Sequence, residues 1–345
     1  MLSWNQLVCG LLIASCPVKG VSAGEVITIE PGMQHVRQAE PREWSEFPET
    51  AESRSLERSF VARQNDSEWT LRLRHENVKQ NWEVSLNGKR LAALKQNENS
   101  MVVAIAIPPS SLKEGENKIA ISTRSNQPDD VRLGDVRLIP ASRTEFLSQC
   151  SISVACRDNA TGTQLPCRIT ILDANGSLHD AGVVSNQTLA VRTGVIYTSN
   201  GMADFGLPPG RFRIIASRGP EYTIDEQEIN LSTDENRRLT MSLKRVVDTT
   251  GWVACDTHVH TLTHSGHGDA SIEERLITIC GEGIELPIAT DHNKQIKYVP
   301  LQTSMGLTNW FTPVVGNEVT TKWGHFNIFP VSAGGPVPNH NRDNW

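Results

Sequence analysis

The sequence has no hydrophobic run long enough to span a bilayer and no run rich in lysine and arginine. Among its 345 residues, 39 are acidic and 33 are basic, which gives a formal net charge of −6. The one stretch with a membrane-directed character, residues 7–14, is much shorter than the roughly 20 residues of a membrane helix. Without a basic patch, a nucleic-acid partner is not expected. We therefore expect no transmembrane span and no nucleic-acid partner.

Close cysteine pairs of the CxxC type are also absent, which argues against a zinc ribbon or a dithiol redox motif. Two of the seven cysteines, Cys9 and Cys16, lie near the N-terminus. The other five are Cys150, Cys156, Cys167, Cys255 and Cys280. A disulfide among the first three of these would suit an exported protein, but their spacing does not choose the pair. We expect the last two to be buried as small hydrophobic residues.

The N-terminal segment predicts export. An apolar core at residues 7–14 precedes the small residues Val21, Ser22 and Ala23, which is typical of a secretory signal peptide (residues 1–23) cleaved after Ala23. A second interpretation is a bacterial lipoprotein cleavage box that ends at Cys16, which would then carry the lipid. Both predict an exported protein, whether periplasmic, extracellular or lipid-anchored.

Two all-β units are predicted after an extended lead-in at residues 24–57. In residues 58–145, short alternating apolar runs separated by turns, such as Asn87-Gly88, indicate a β-sandwich. This unit weakly resembles galactose-binding-like modules, which makes a carbohydrate contact a candidate, but it shows no distinct set of ligand residues. In residues 150–247, a Gly-Leu-Pro-Pro-Gly-Arg-Phe stretch and its flanking strands resemble prealbumin-like or carboxypeptidase-regulatory-like sandwiches.

The pattern changes to α/β in the last predicted unit, residues 250–345. Ser271-Ile272-Glu273-Glu274 is a capping box. The helix that it begins should end at Gly281 or Gly283. Apolar runs at residues 252–256, 284–290, 311–315 and 326–331 predict strands around it. Because strand–helix–strand order implies parallel pairing, polar residues after these strands should meet at one edge of the sheet.

Histidine is concentrated in the same unit, with seven of the ten histidines between His258 and His340. His258 and His260 are two residues apart, so on a strand both side chains point to one face and can reach one metal ion. His292, Glu318 and His325 follow later strand ends. Imidazole and carboxylate groups are ligands for zinc, manganese and iron. The recurrence predicts a divalent metal site. His340 lies on a predicted loop.

Four segments together resemble the opening motifs of the PHP (polymerase and histidinol phosphatase) superfamily, in particular its carbaryl-hydrolase-like branch. They are residues 256–260 (DTHVH), 289–293 (ATDHN), 316–320 (GNEVT) and 324–329 (GHFNIF). The resemblance implies a distorted seven-stranded β/α barrel with two or three divalent metal ions. The later motifs of the family have no counterpart, so the match is C-terminally incomplete. The expected fold is therefore two all-β sandwiches followed by the first part of an α/β barrel.

The resemblance also implies roles for individual residues. The implied metal ligands are His258, His260, His292, Glu318 and His325, with Asp269 or His267 as a further ligand. Asp291 would orient His292 or its loop, and no other catalytic residue is assigned because a metal-bound water would do the chemistry.

The implied function is a secreted metal-dependent hydrolase that cleaves a phosphoester or a carboxylic or carbamic ester of a small molecule. One alternative is a truncated, catalytically incompetent relative. Another is an exported carbohydrate-binding or adhesion protein that acts through its β-sandwich modules. Whether this chain turns over a substrate is left open.

Overall fold

The computed structural model describes residues 24–341, and nearly all of their regular structure is β-sheet. The expected signal peptide, with its cleavage site after Ala23 and the alternative lipid site at Cys16, lies outside the described residues. Residues 342–345 lie outside them as well. Within the described part, no helix is both long enough and apolar enough to cross a membrane.

The first unit is a sandwich of two antiparallel sheets. Its strands are β1 (Ile27–Val36), β2 (Leu56–Ala62), β3 (Trp69–Glu76), β4 (Trp82–Leu86), β5 (Lys89–Ala93), β6 (Met101–Ile107), β7 (Gly115–Thr123) and β8 (Val131–Ile139). One sheet has the order β1-β8-β3-β6 and the other β2-β7-β4-β5. Alternate residues such as Leu71, Leu73, Val84 and Leu86 fill the core between them, because strand side chains alternate between two faces.

The structure tests two sequence predictions for this unit, the tight turn at Asn87-Gly88 and the extended lead-in at residues 24–57. Asn87 and Gly88 both have positive φ and form the tight turn between β4 and β5, as predicted. The segment expected to be an extended lead-in instead contributes β1, which pairs along β8 at the edge of the sheet.

The second unit follows α1 (Arg143–Leu147) and is also a sandwich. Its strands are β9 (Cys150–Asp158), β10 (Cys167–Asp173), β11 (Leu178–His179), β12 (Leu189–Arg192), β13 (Val195–Thr198), β14 (Met202–Leu207), β15 (Gly210–Ser217), β16 (Asp225–Leu231) and β17 (Asn236–Leu243). The sheet β14-β9-β17 faces a second sheet that contains β10, β12, β13, β15 and β16. Ile152, Ile169 and Ile214 lie in the core between them.

The two sandwiches are joined through their backbones. β11 pairs in parallel with β6, with Leu178 opposite Met101 and His179 opposite Val102. The hydroxyls of Ser100 and Ser177 lie 2.7 Å apart beside this contact. One ten-stranded sheet therefore runs through both units.

The third unit is small. Its elements are β18 (Cys255–Val259), α2 (Leu262–Ser265), α3 (Ile272–Glu282), β19 (Leu286–Ala289), α4 (Val299–Ser304), β20 (Val314–Val315), β21 (Asn317–Thr321) and β22 (Gly324–Ile328). β18, β19 and β20 pair in parallel. Both hydrogen bonds of the predicted capping box are present at Ser271, and Gly283 ends α3 in the left-handed conformation.

The expected partial α/β barrel is wrong. The four helices in the described part are only 4 to 11 residues long, and most strands belong to the two sandwiches. After β20 the chain forms an antiparallel hairpin of β21 and β22. One residue, Gly316, separates β20 from β21, and two residues separate β21 from β22. Such connections are too short for the helical crossover that another parallel strand needs.

Helix α3 is packed closely on the second sandwich. A Cβ on Gly281 would lie 2.7 Å from Tyr197 Cδ1 and 3.0 Å from the carbonyl oxygen of Cys167. Arg218 is buried and donates hydrogen bonds to the carbonyls of Pro166, at 2.8 Å, and of Cys280. Its guanidinium also lies 5.2 Å from the ring centroid of Trp310. These contacts hold the third unit against the second.

One core residue makes the stability of the fold depend on pH. His75 of β3 is fully buried, and neither of its ring nitrogens has a hydrogen-bond partner. Burial lowers its pKa to about 4, although Asp180 acts in the opposite direction. The folded protein therefore holds this imidazole neutral at a pH where the unfolded chain would protonate it.

We predict that the free energy of unfolding falls as the pH is lowered from about 6.5 to about 4, by about 3 kcal/mol from His75 alone. Above the unfolded pKa both states are neutral at this site, so the stability is fully present there. Urea unfolding at pH 7 and pH 4 measures the loss. His75→Leu should remove this part of the loss, and His340→Leu, at a half-buried loop position, should not. An equal loss in all three proteins would contradict the assignment.

Candidate metal centre

Histidines from two strand ends and a hairpin converge on one glutamate. His258 lies in β18 and His260 directly follows it, and His292 lies beyond the end of β19. Glu318 lies in β21, and His325 lies in β22 opposite Thr320. An isolated parallel bridge between His292 and Glu318 aligns the end of β19 with the hairpin. Local strand pairing therefore positions the whole group, which we call the histidine cluster.

Glu318 is at the centre of the histidine cluster and is 3% exposed. Its Oε2 lies 3.3 Å from His258 Nε2, 2.8 Å from His260 Nε2 and 3.1 Å from His292 Nδ1. Its Oε1 lies 2.8 Å from His325 Nδ1. The two carboxylate oxygens thus face different imidazoles. The Nε2 atoms of His258 and His260 are 2.8 Å apart.

The pKa shifts favour an ionised Glu318 carboxylate beside neutral imidazoles of His260 and His292. Burial alone would raise the pKa of Glu318, but the imidazoles of His258 and His325 hold it below its usual range. Desolvation lowers the pKa of His260 and of His292, against the attraction of Glu318. Neutral imidazole and ionised carboxylate are the protonation states that bind metal ions.

The donor atoms fit a metal ion in three overlapping groups. These are His260, His267 and His292; His258, His260 and Glu318; and His292, Glu318 and His325. Within each group the ligand atoms lie within 4.8 Å of one another. Tetrahedral zinc with ligands at about 2.0–2.1 Å brings donor atoms to roughly 3.4 Å from one another. Small side-chain rotations would therefore close any of the three groups around an ion.

The two residues that the sequence left as alternatives for a further ligand lie in different places. His267 Nε2 is 2.5 Å from His292 Nε2, so His267 joins the histidine cluster. The Asp269 carboxylate instead accepts a hydrogen bond of 2.8 Å from Arg192 and is largely exposed. Asp269 belongs to none of the three groups in the described part of the chain, and neither do His264 and His340.

Asp291 is buried beneath the histidine cluster and holds the loop that follows β18. Its Oδ1 accepts hydrogen bonds from the Thr261 backbone amide (2.8 Å) and hydroxyl (3.0 Å) and from the Ser265 hydroxyl (2.7 Å). Its Oδ2 accepts one of 3.2 Å from the hydroxyl of Tyr298. Burial and the negative charge of Asp291 raise the pKa of Tyr298, so this phenol stays a donor.

Two residues around the ligands were not predicted from the sequence. Thr320 Oγ1 lies 2.6 Å from His292 Nδ1, and Ser265 Oγ lies 3.1 Å from His260 Nδ1. Hydroxyl partners of this kind fix the orientation of a ligand imidazole. Thr320 follows Glu318 by two residues, so the alternation of the strand offered a signal for it. Ser265 carried none.

A cleft of about 720 Å³, with both polar and apolar residues in its lining, lies beside the histidine cluster. All three units line it, and the residues of the cleft include Lys95, Asn97, Asn99, Arg192, Tyr197, His258, His260 and Arg275. Arg192 also binds Glu274 of α3 at 3.0 Å, and Arg275 donates to the carbonyl of His260 at 3.0 Å. The wall of the cleft therefore contacts the histidine cluster directly.

None of the five cysteines between residues 24 and 341 belongs to the histidine cluster. Cys280 is buried in α3, as expected. Cys255 is exposed, which corrects the expectation that it is buried, and it begins β18, an edge strand of the small sheet.

Comparisons with known proteins give a limited result. No family model matches the chain, and no curated protein matches it. It is similar to the pilus 2b backbone protein of group B streptococcus (12% identity, 55% of this chain and 92% of that chain, TM-score 0.22). It is also similar to the CBM36-1 domain of a multidomain xylanase from the hindgut metagenome of Trinervitermes trinervoides (12% identity, 34% of this chain and 98% of that chain, TM-score 0.23). A third similar structure is a β-glucuronidase of Faecalibacterium prausnitzii (10% identity, 86% of this chain and 60% of that chain, TM-score 0.23). Similarities this low carry no argument about activity or ligand.

The assignment to the PHP superfamily is wrong. No family model supports it, and the described chain forms β-sandwiches with a small parallel sheet where the family would have a barrel. The expected phosphoester- or ester-cleaving metallohydrolase rested on that resemblance and is withdrawn with it. The placement of the histidines and Glu318 does not depend on the resemblance.

We predict that Asp291→Ala destabilises the third unit by about 3 kcal/mol, because it leaves buried donors of Thr261, Ser265 and Tyr298 without an acceptor. Chemical denaturation measures the change. Asp256→Ala is the matched control, since Asp256 is only half-buried and accepts one backbone hydrogen bond of 3.0 Å from His258. Equal losses in the two variants would contradict a structural role specific to Asp291.

Proposed function

We propose that this chain is an exported binding protein of β-sandwich architecture. In this proposal the histidine cluster holds a divalent metal ion beside a cleft that takes carbohydrate. The observation that carries the proposal is the arrangement around Glu318, a buried carboxylate faced by four imidazoles. Two of these imidazoles, those of His258 and His260, line the cleft.

The chemistry of the donor set supports a metal ion. Nitrogen and oxygen donors of this kind suit zinc, manganese or iron, and the choice among them depends on availability. His258, His260 and Glu318 would hold one ion, and His292 and His325 a second that shares Glu318. His267 would complete the coordination on the side of His260 and His292. A bound ion would supply positive charge for an oxygen atom of a ligand in the cleft.

The lining of the cleft supports a ligand rich in hydroxyl groups. Amides of Asn97 and Asn99 both donate and accept hydrogen bonds, Lys95 and Arg275 donate, and Asp256 accepts. A sugar offers both donors and acceptors around its ring, so it matches such a mixed wall. The volume of about 720 Å³ lies within the usual range for sites of small ligands.

The location of the cleft favours binding through the β-sandwich modules. Lys95 and Asn99 come from the first sandwich, and Arg192 and Tyr197 come from the second. Because β6 and β11 connect these modules through one sheet, the two sides of the cleft are held in fixed relation. An adhesion or carbohydrate-binding role needs this rigidity and requires no turnover.

We predict that the purified protein retains at least one equivalent of zinc, manganese or iron after desalting. Inductively coupled plasma mass spectrometry measures the metal content. Glu318→Gln keeps the size of the side chain but removes its charge, and it should weaken metal affinity about 100-fold or more. His264→Ala is the control, because His264 is close in sequence but outside the three ligand groups. Absence of metal, or equal retention by both variants, would contradict the metal centre.

We also predict binding to neutral or acidic glycans on an array, with affinity confirmed by calorimetry. Lys95→Ala and Asn99→Ala should each weaken the binding about tenfold, since each removes a polar contact of about 1.4 kcal/mol. Lys89→Ala, an exposed position on β5 outside the cleft, should have no effect. Glycan binding that survives both cleft variants would place the ligand elsewhere. Glycan binding that persists after a chelator removes the metal would show that the cleft binds glycans without the metal ion.

A further inference from the structure

Two cysteines meet in the core of the second sandwich, outside the histidine cluster. Cys156 is in β9 and Cys167 is in β10, so they belong to sheets on opposite sides of that core. Both are completely buried. Both belong to the same hydrophobic core cluster. The chain thus places two buried thiols in one core between its facing sheets.

The backbone around this pair is held by regular hydrogen bonds. The Leu165 amide donates to the Cys156 carbonyl at 3.1 Å, and the Cys156 amide donates to the Gly201 carbonyl at 2.7 Å. Cys167 pairs with Thr198 of β13. Cys156 is therefore bonded to a backbone segment that continues directly into Cys167 of β10, and a bond between the two side chains would join the sheets.

The remaining cysteines have other surroundings. The thiol of Cys150, at the opposite end of β9, donates to the carbonyl of Ser232 at 3.1 Å. Cys280 is buried in α3, and Cys255 is exposed. The sequence alone left open which of Cys150, Cys156 and Cys167 would pair, and the geometry distinguishes them.

We propose that Cys156 and Cys167 form a disulfide bond between the two sheets of this sandwich when the protein folds in an oxidising compartment. A disulfide across the core of a sandwich stabilises it chiefly by restricting the unfolded chain.

The reaction needs a disulfide-bearing oxidant such as oxidised glutathione. The Cys156 thiolate attacks one sulfur of the oxidant, the oxidant's S–S bond breaks, and one thiol leaves. The Cys167 thiolate then attacks the Cys156 sulfur, forms the new S–S bond and releases the second thiol. The two cysteine protons end on the two released thiols, and two electrons pass from protein to oxidant.

The test is oxidative refolding, because both thiols are inaccessible in the folded protein. Full-length protein is reduced and unfolded, refolded with a mixture of reduced and oxidised glutathione, alkylated in denaturant and digested with trypsin. The peptide of residues 144–157 carries both Cys150 and Cys156, and that of residues 158–168 carries Cys167. We expect these two peptides to be linked, and to separate on reduction.

Variants decide which cysteine makes the link. In Cys150→Ser the linked peptides should persist, whereas in Cys156→Ser and Cys167→Ser they should disappear. The oxidised wild-type protein should melt at least about 5 °C above protein refolded in dithiothreitol, and Cys167→Ser should show no such difference. Alkylated Cys156 and Cys167 in the oxidised wild type, or loss of the link in Cys150→Ser, would overturn the proposal. Neither result depends on the metal centre or the cleft.

Discussion

A buried carboxylate needs hydrogen-bonding or charged partners, and the fold of the third unit supplies them to Glu318. Leaving such a charge unpaired in the interior costs several kcal/mol. Its position depends on β21 lying close beside the end of β19, and Gly316 permits this approach: a Cβ there would lie 2.8 Å from Ile288 Cγ2. The ends of β18 and β19 then deliver His258, His260 and His292 to the same carboxylate.

The support for this arrangement comes from outside the third unit. Arg192, on β12 of the second sandwich, binds Glu274 and Asp269 and so holds the beginning of α3 and the segment before it. Arg218 holds the end of the same helix through the Cys280 carbonyl. The sandwiches therefore form both the wall of the cleft and the platform on which the histidine cluster rests. Binding and metal coordination would share one rigid frame.

Local structure could be predicted from the sequence where a short pattern decides it. Alternating apolar residues located β3 and β4, and the capping box at Ser271 located α3. The overall fold depended on contacts that no short pattern carries. The two-residue pairing of β11 with β6 merges two sandwiches into one sheet, and the short connections around β21 turn the chain back on itself. Ligand motifs of a few residues resembled a barrel family, but they do not specify a barrel.

The same distinction applies to the site. The two-residue spacing of His258 and His260 predicted that both imidazoles reach one site. The sequence could not decide whether His267 or Asp269 is the further metal ligand. The Asp269 carboxylate accepts a hydrogen bond from Arg192, which lies 77 residues earlier in the chain. Only the three-dimensional structure brings these two residues together.

The most direct test of the metal centre is X-ray absorption spectroscopy of the purified protein at the edge of its bound metal. We predict nitrogen and oxygen neighbours at about 2.0–2.2 Å with the outer-shell scattering of imidazole rings. A spectrum without imidazole scattering, or with sulfur neighbours at about 2.3 Å, would contradict a metal centre built on Glu318 and its histidines.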